Sequence, residues 1–206
     1  GEEERREGGD EGRAEIAVID VERWQGVKSI RSGHETEGIE FSRDGKLLAV
    51  TNEGDNTVSV YDLGSGALVK TVSTLSAGER PRGIKATADG SGYIVTLESS
   101  DRFLVLDSEF RIVKSVDTKA GPYGIAFDPQ GARLFIAAAR ASVLQVFDAK
   151  SYAPLAQIAV GKRCWHFSFS PDGSRILAAC GRSDAVYVVD AASYATLKVL
   201  DGAKGA

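Results

Sequence analysis

An Asp closes an apolar, alternating segment at Asp20, Asp62, Asp107, Asp148 and Asp190, at spacings of 42, 45, 41 and 42 residues. The Gly of an Asp-Gly-like turn keeps step with it at Gly45, Gly90, Gly131 and Gly173, spaced 45, 41 and 42. Two registers in step mean one structural unit repeated, which constrains the architecture more tightly than any single motif. Within the copy at 38–78, four segments rich in Val, Ile, Thr and Tyr (38–42, 47–52, 57–62 and 67–73) are separated by turns of Gly, Asp, Asn and Ser. Short alternating segments bounded by such turns read as half-buried strands, and no window carries a helical stripe. The unit is therefore a four-stranded antiparallel meander.

The template fits again at 83–120, 124–161 and 166–200, and two strands precede the first copy, at 14–20 and near 24–30. Four-stranded units at this period are the signature of propeller blades. The expectation is an all-β protein, a β-propeller of four-stranded antiparallel blades with four full blades plus a half blade. The half blade covers 14–33, and the blades 34–78, 79–120, 121–161 and 162–206. Blades bury both faces against neighbours. We expect the chain to be part of a larger ring, closed by missing blades or by a second chain. The absence of Met fits a chain processed or taken from something longer.

Residues 1–12 hold six acids and two bases, which accounts for the whole net charge of −4. With no apolar residue, this stretch predicts a disordered acidic tail over 1–13. The balanced remainder carries no basic stripe, which argues against nucleic acid as a partner. No apolar run reaches the length of a membrane span, and no signal peptide is present.

The repeats resemble a known family. Phe41-Ser42-Arg43-Asp44-Gly45-Lys46, Ala49-Val50-Thr51-Asn52 and Asp55-Asn56-Thr57-Val58-Ser59-Val60-Tyr61-Asp62 are similar to the YVTN-type β-propeller repeat. So are Phe169-Ser170-Pro171-Asp172-Gly173 and Val186-Tyr187-Val188-Val189-Asp190. The joins at 78–84 and 161–165 resemble the branch associated with PQQ-dependent catabolism. The YVTN tetrapeptide itself is absent, and Lys85-Ala86-Thr87-Ala88 is more polar than the usual inner strand. The resemblance implies a periplasmic, secreted or cell-surface propeller.

In a propeller the first strand of each blade lines the channel, and the loop entering it opens on one face. The residue before each inner strand is Glu37, Arg82, Tyr123 or Trp165, and the next is Gly38, Gly83, Gly124 or His166. His34, Arg80 and Arg163 lie just upstream. The second loops of the same face add Glu53, Asp55, Asn56, Glu98, Asp101, Arg140, Arg182 and Asp184. We take His34, Glu37, Arg80, Arg82, Tyr123, Arg163, Trp165 and His166 as the candidate ligand-binding set. Arginines suit a carboxylate or phosphate, and Tyr and Trp suit a ring. The alternative is an ordinary polar channel end, with His166 bonded to neighbouring backbone.

No cofactor and no metal are expected, because no close His–His or Cys–His spacing exists and a metal site needs three or four donors. Cys164 and Cys180 can form a disulfide if Ser168 pairs with Ile176, whereas a one-residue slip puts them on opposite faces. A Cys-x-x-Cys-His heme attachment, a Gly-x-Ser-x-Gly elbow and a phosphate loop are absent. The leading expectation is a non-catalytic scaffold that binds a small anionic ligand or a protein partner at its channel mouth. The rivals are a lactonase-like hydrolase at the same place and an accessory of a quinoprotein or heme redox system.

Overall fold

The computed structural model describes residues 12–204. The acidic stretch at 1–11 lies outside the described residues, and Arg13, placed in the tail by sequence, already belongs to the first strand. Eighteen strands follow in order. β1 (Arg13–Asp20) and β2 (Gln25–His34) form a two-stranded sheet. The first blade is β3 (Thr36–Phe41), β4 (Leu47–Asn52), β5 (Thr57–Asp62) and β6 (Leu68–Ser73). The second is β7 (Pro81–Ala86), β8 (Gly92–Leu97), β9 (Arg102–Asp107) and β10 (Ile112–Asp117). The third is β11 (Pro122–Phe127), β12 (Arg133–Ala138), β13 (Val143–Asp148) and β14 (Pro154–Ala159). The fourth is β15 (Cys164–Phe169), β16 (Arg175–Cys180), β17 (Ala185–Asp190) and β18 (Thr196–Asp201). Each blade is an antiparallel meander whose strands pair in sequence order.

Two details differ from the sequence reading. β2 runs on to His34, past the half-blade boundary at residue 33, and residues 98–100, read with the second strand of their blade, form a 3-10 turn.

Both periodic registers have a physical role. Gly45, Gly90, Gly131 and Gly173 sit at φ between 68° and 73°, where a side chain is strained. The Asp register caps the later turn of each blade. Asp62, Asp107, Asp148 and Asp190 each accept backbone N–H bonds of 2.7–2.9 Å from the turn that follows.

The core is divided among the blade interfaces, and strand alternation does the dividing. On β8, Tyr93, Val95 and Leu97 face the first blade, while Ile94 faces the third. On β12, Leu134 and Ile136 face the second blade, while Phe135 and Ala137 face the fourth. On β16, Ile176, Ala178 and Cys180 pack on the third blade. Leu177, turned the other way, is exposed.

Candidate functional site

The inner strands β3, β7, β11 and β15 stand side by side, and the loops entering them meet at one end of the channel. Every blade opens its inner hairpin there with the same irregularity. The pairs Thr36–Asn52, Pro81–Leu97, Pro122–Ala138 and Cys164–Cys180 each precede a bulge in the inner strand. Bulges re-aim side chains, and these turn Glu37, Arg82, Tyr123 and Trp165 toward the channel end.

Gly38, Gly83 and Gly124 follow the bulge because the next blade leaves no room. A Cβ there would lie 2.4 Å from the Arg82 carbonyl, 2.3 Å from that of Tyr123 and 2.5 Å from that of Trp165, respectively. The hydroxyls of Thr51 and Thr96 bind the first two of these joints. Thr51 accepts from Gly38 N at 2.8 Å and donates to Arg82 O at 2.7 Å. Thr96 accepts from Gly83 N at 2.9 Å and donates to Tyr123 O at 2.8 Å. Sequence reasoning missed both threonines. Their spacing of 45, shared with the repeat, was the available signal.

Arg82 organises the charged part of the site. Its Nη1 donates to Glu98 Oε2 at 2.6 Å, and Nη2 lies 3.5 Å from Glu37 Oε1. Its Nε is 3.0 Å from Glu53 Oε2, but the N–H is not aimed at that oxygen, so the contact is one of charge and the buried Nε makes no hydrogen bond. Arg80 pairs with Glu53 and Arg140 with Glu98. Three arginines thus meet three carboxylates across three blades. Tyr123 Oη adds a link to Glu37 Oε2 at 3.0 Å. Burial pushes the Glu98 carboxyl up, but the hydrogen bonds and charges of Arg82 and Arg140 outweigh it and hold the group below its usual value. Burial, then the charge and hydrogen bond of Glu37, push Tyr123 up to about 12. The donors expected to meet an outside anion are committed within the fold at Arg80 and Arg82.

The fourth blade brings a different chemistry. The Trp165 ring has Arg82 Cζ 5.2 Å and Arg163 Cζ 5.4 Å from its centroid. Arg163 makes no ion pair with an acid among the described residues. Its backbone sits at φ 58°, where the third blade uses Gly121, a conformation an L side chain adopts at a cost. The His166 ring stands edge-on to Tyr123, centroids 4.5 Å apart, and makes no hydrogen bond among the described residues. Although open on one side, its packed side and then the Arg82 cation hold its pKa below the ordinary 6.5, against the pull of Glu37. Its imidazole is therefore neutral near pH 7.

Glu37, Tyr123 and His166, with Ile39, Ile84 and Ile125, line a pocket of about 210 Å³ at this end. His34 is on the same rim but outside that pocket, its Nδ1 2.7 Å from Asp55 Oδ1. Among the described residues no group of three His, Cys, Asp or Glu is arranged to hold a metal ion.

Beside the pocket, Cys164 and Cys180 form a disulfide. The register expected to allow it is not the one present, since Ser168 pairs with Leu177 rather than Ile176. In a regular hairpin that slip forbids the bond. The bulge at Trp165 takes up the extra residue and returns Cys164 to a position opposite Cys180.

A model of the Cytochrome D1 heme domain family matches residues 11–162. Solved structures of the same fold include hydrazine synthase from Kuenenia stuttgartiensis, with a TM-score of 0.72 and 22% identity over 80% of this chain and 48% of that one. Dihydro-heme d1 dehydrogenase NirN, in complex with DHE, aligns with a TM-score of 0.72 and 21% identity over 92% of this chain and 42% of that one. A candidate 6-phosphogluconolactonase from Bacteroides uniformis gives 0.75 and 14% over 92% of this chain and 66% of that one. At these identities the likeness is one of fold, and the chain spans less than two thirds of each of these structures. A search of curated proteins finds no match.

Proposed function

The chain belongs to the Cytochrome D1 heme domain family, and from that footing we propose that it is a non-catalytic ligand-binding propeller whose site is the channel end beside the fourth blade. The observation that carries this reading is His166. Where three blades have glycine, the fourth offers an imidazole to the pocket with no hydrogen bond of its own among the described residues. The ligand is a small organic anion. Its charge meets Arg163, which has no acidic partner among the described residues, its polar group meets His166, and its apolar part meets Ile84 and Ile125. Arg80 and Arg82 hold the blades together through Glu53, Glu37 and Glu98. The YVTN-type character of the repeats and an extracytoplasmic location belong to the same proposal, and a buried disulfide supports an oxidising compartment.

The family description implies a heme. The described residues place one imidazole at the pocket, His166, and the pocket's volume of about 210 Å³ is below the roughly 300 Å³ at which sites for drug-sized ligands begin, room for a small carboxylate but not for a tetrapyrrole. Arg82 and its three carboxylates fill the channel beside it. These residues do not fit a tetrapyrrole at this place.

The test uses Trp165 as reporter in a Trp24→Phe background, since Trp24 is the other tryptophan and is exposed. Small mono- and dicarboxylates should quench Trp165 saturably, and both Arg163→Ala and His166→Ala should abolish the effect. No saturable quenching by any of them sinks the proposal. A Soret shift on adding hemin that disappears in His166→Ala replaces it with a heme site.

A further inference from the structure

The four inner hairpins share one design but are held by different means. In the first blade Thr36 Oγ1 donates to Asn52 Oδ1 at 2.9 Å beside the bulge, and the Thr51 hydroxyl takes the bulge amide. In the second, Thr96 does the latter. In the third, Ala137 stands at the threonine position, but Gly124 is pressed against the Trp165 carbonyl of the following blade. The fourth blade has Ala179 at the threonine position and, among the described residues, no blade packed against its far side. It is also the blade whose bulge carries Trp165 and His166. There the hairpin-closing pair is covalent.

We infer that the Cys164–Cys180 disulfide is the positioning clasp of the channel-end site, fixing the bulge that aims Trp165 and His166 at the pocket. This rests on the reading of that pocket as a ligand site. Both half-cystines are buried in the core between the third and fourth blades. Gly161, just upstream, is so close that a Cβ would lie 2.9 Å from the Cys180 Cβ. The clasp therefore ties the entering loop, the bulge and the second strand at one point. Such burial suits a permanent fastening rather than an exchanging thiol pair. The groups facing His166 when the bulge is held are Tyr123, Arg82 and Glu37.

The experiment follows the His166 ring by NMR titration of the whole chain, with His34→Gln assigning the second imidazole. In Cys164→Ser/Cys180→Ser the ring should leave Tyr123 and Arg82, raising its midpoint toward the ordinary value, and the emission of Trp165 should shift to the red. Cys164→Thr/Cys180→Asn, which copies the first blade's pair, should restore at least half of both changes. Reduction of the unmutated chain with a phosphine gives the same reading should the Ser pair fail to fold. An unmoved His166 midpoint in the folded Ser pair or in the reduced chain overturns the clasp, as does a Thr–Asn pair that restores nothing. No ligand enters these measurements, so their failure leaves the ligand site standing, whereas failure of carboxylate quenching in the unmutated chain removes that site alone.

Discussion

His166 couples the site to the stability of the fold through its proton. The folded ring resists protonation because one side is packed and Arg82 is close. Its folded pKa is below its unfolded one, so as pH falls through the unfolded value the open chain takes up a proton that the native state refuses. The stabilisation is complete above the ordinary 6.5 and is lost progressively below it. Glu98, also depressed, adds a loss in the same direction at lower pH. Urea midpoints measured from pH 7.5 to 3.5 should therefore fall, and His166→Asn should flatten the slope around and just below pH 6.5 while leaving the limb below pH 4.5 that Glu98 contributes. An unchanged slope in that variant would show that His166 carries none of the coupling.

At the scale of the element, the inner hairpin is where sequence reading succeeded and failed. The strands were legible because alternation and turn chemistry are local, and Gly45 and Asp62 announce their roles in their own neighbourhoods. The channel end was legible as a set of positions, because register alone equates Glu37, Arg82, Tyr123 and Trp165. The pairing of Arg82 with Glu37, Glu53 and Glu98 was not, since it depends on which side chains reach across blades. The bulge was hidden as well, because one extra residue leaves no mark in a period that already varies between 41 and 45. The threonine bridges follow from the bulge. Thr96 is fully buried, and replacing it with Val keeps its volume while leaving Gly83 N and Tyr123 O without that partner. The loss should be about 1–3 kcal/mol, read as a lower unfolding midpoint with an unchanged denaturant slope. Thr118→Val, half-buried after β10 and bonded through its hydroxyl to the neighbouring, exposed Lys119 carbonyl, serves as the control and should cost far less.

Across the whole molecule, the two faces of the fourth blade are unlike. One is sealed against the third blade through Ile176, Ala178 and the disulfide. The other exposes Leu177, Leu197 and Leu200 around an apolar depression of about 850 Å³. Leu177 is the counterpart of Phe135, which the same alternation buries between the third and fourth blades. A blade docked here at the spacing of the other joints would set a carbonyl 2.3–2.5 Å from the Cβ of His166, judging by its three glycine counterparts. Any body on this face must therefore stand off at the channel end, which leaves His166 reachable. An apolar surface of this extent should take up an environment-sensitive dye. The chain spanning residues 1–206 should enhance the fluorescence of anilinonaphthalene sulfonate at pH 7. Leu177→Lys with Leu200→Lys should remove more than half of that signal without lowering the unfolding midpoint, because neither side chain is buried. Equal dye fluorescence in the double variant would place the binding elsewhere, on the exposed Ile39 and Phe41 of β3.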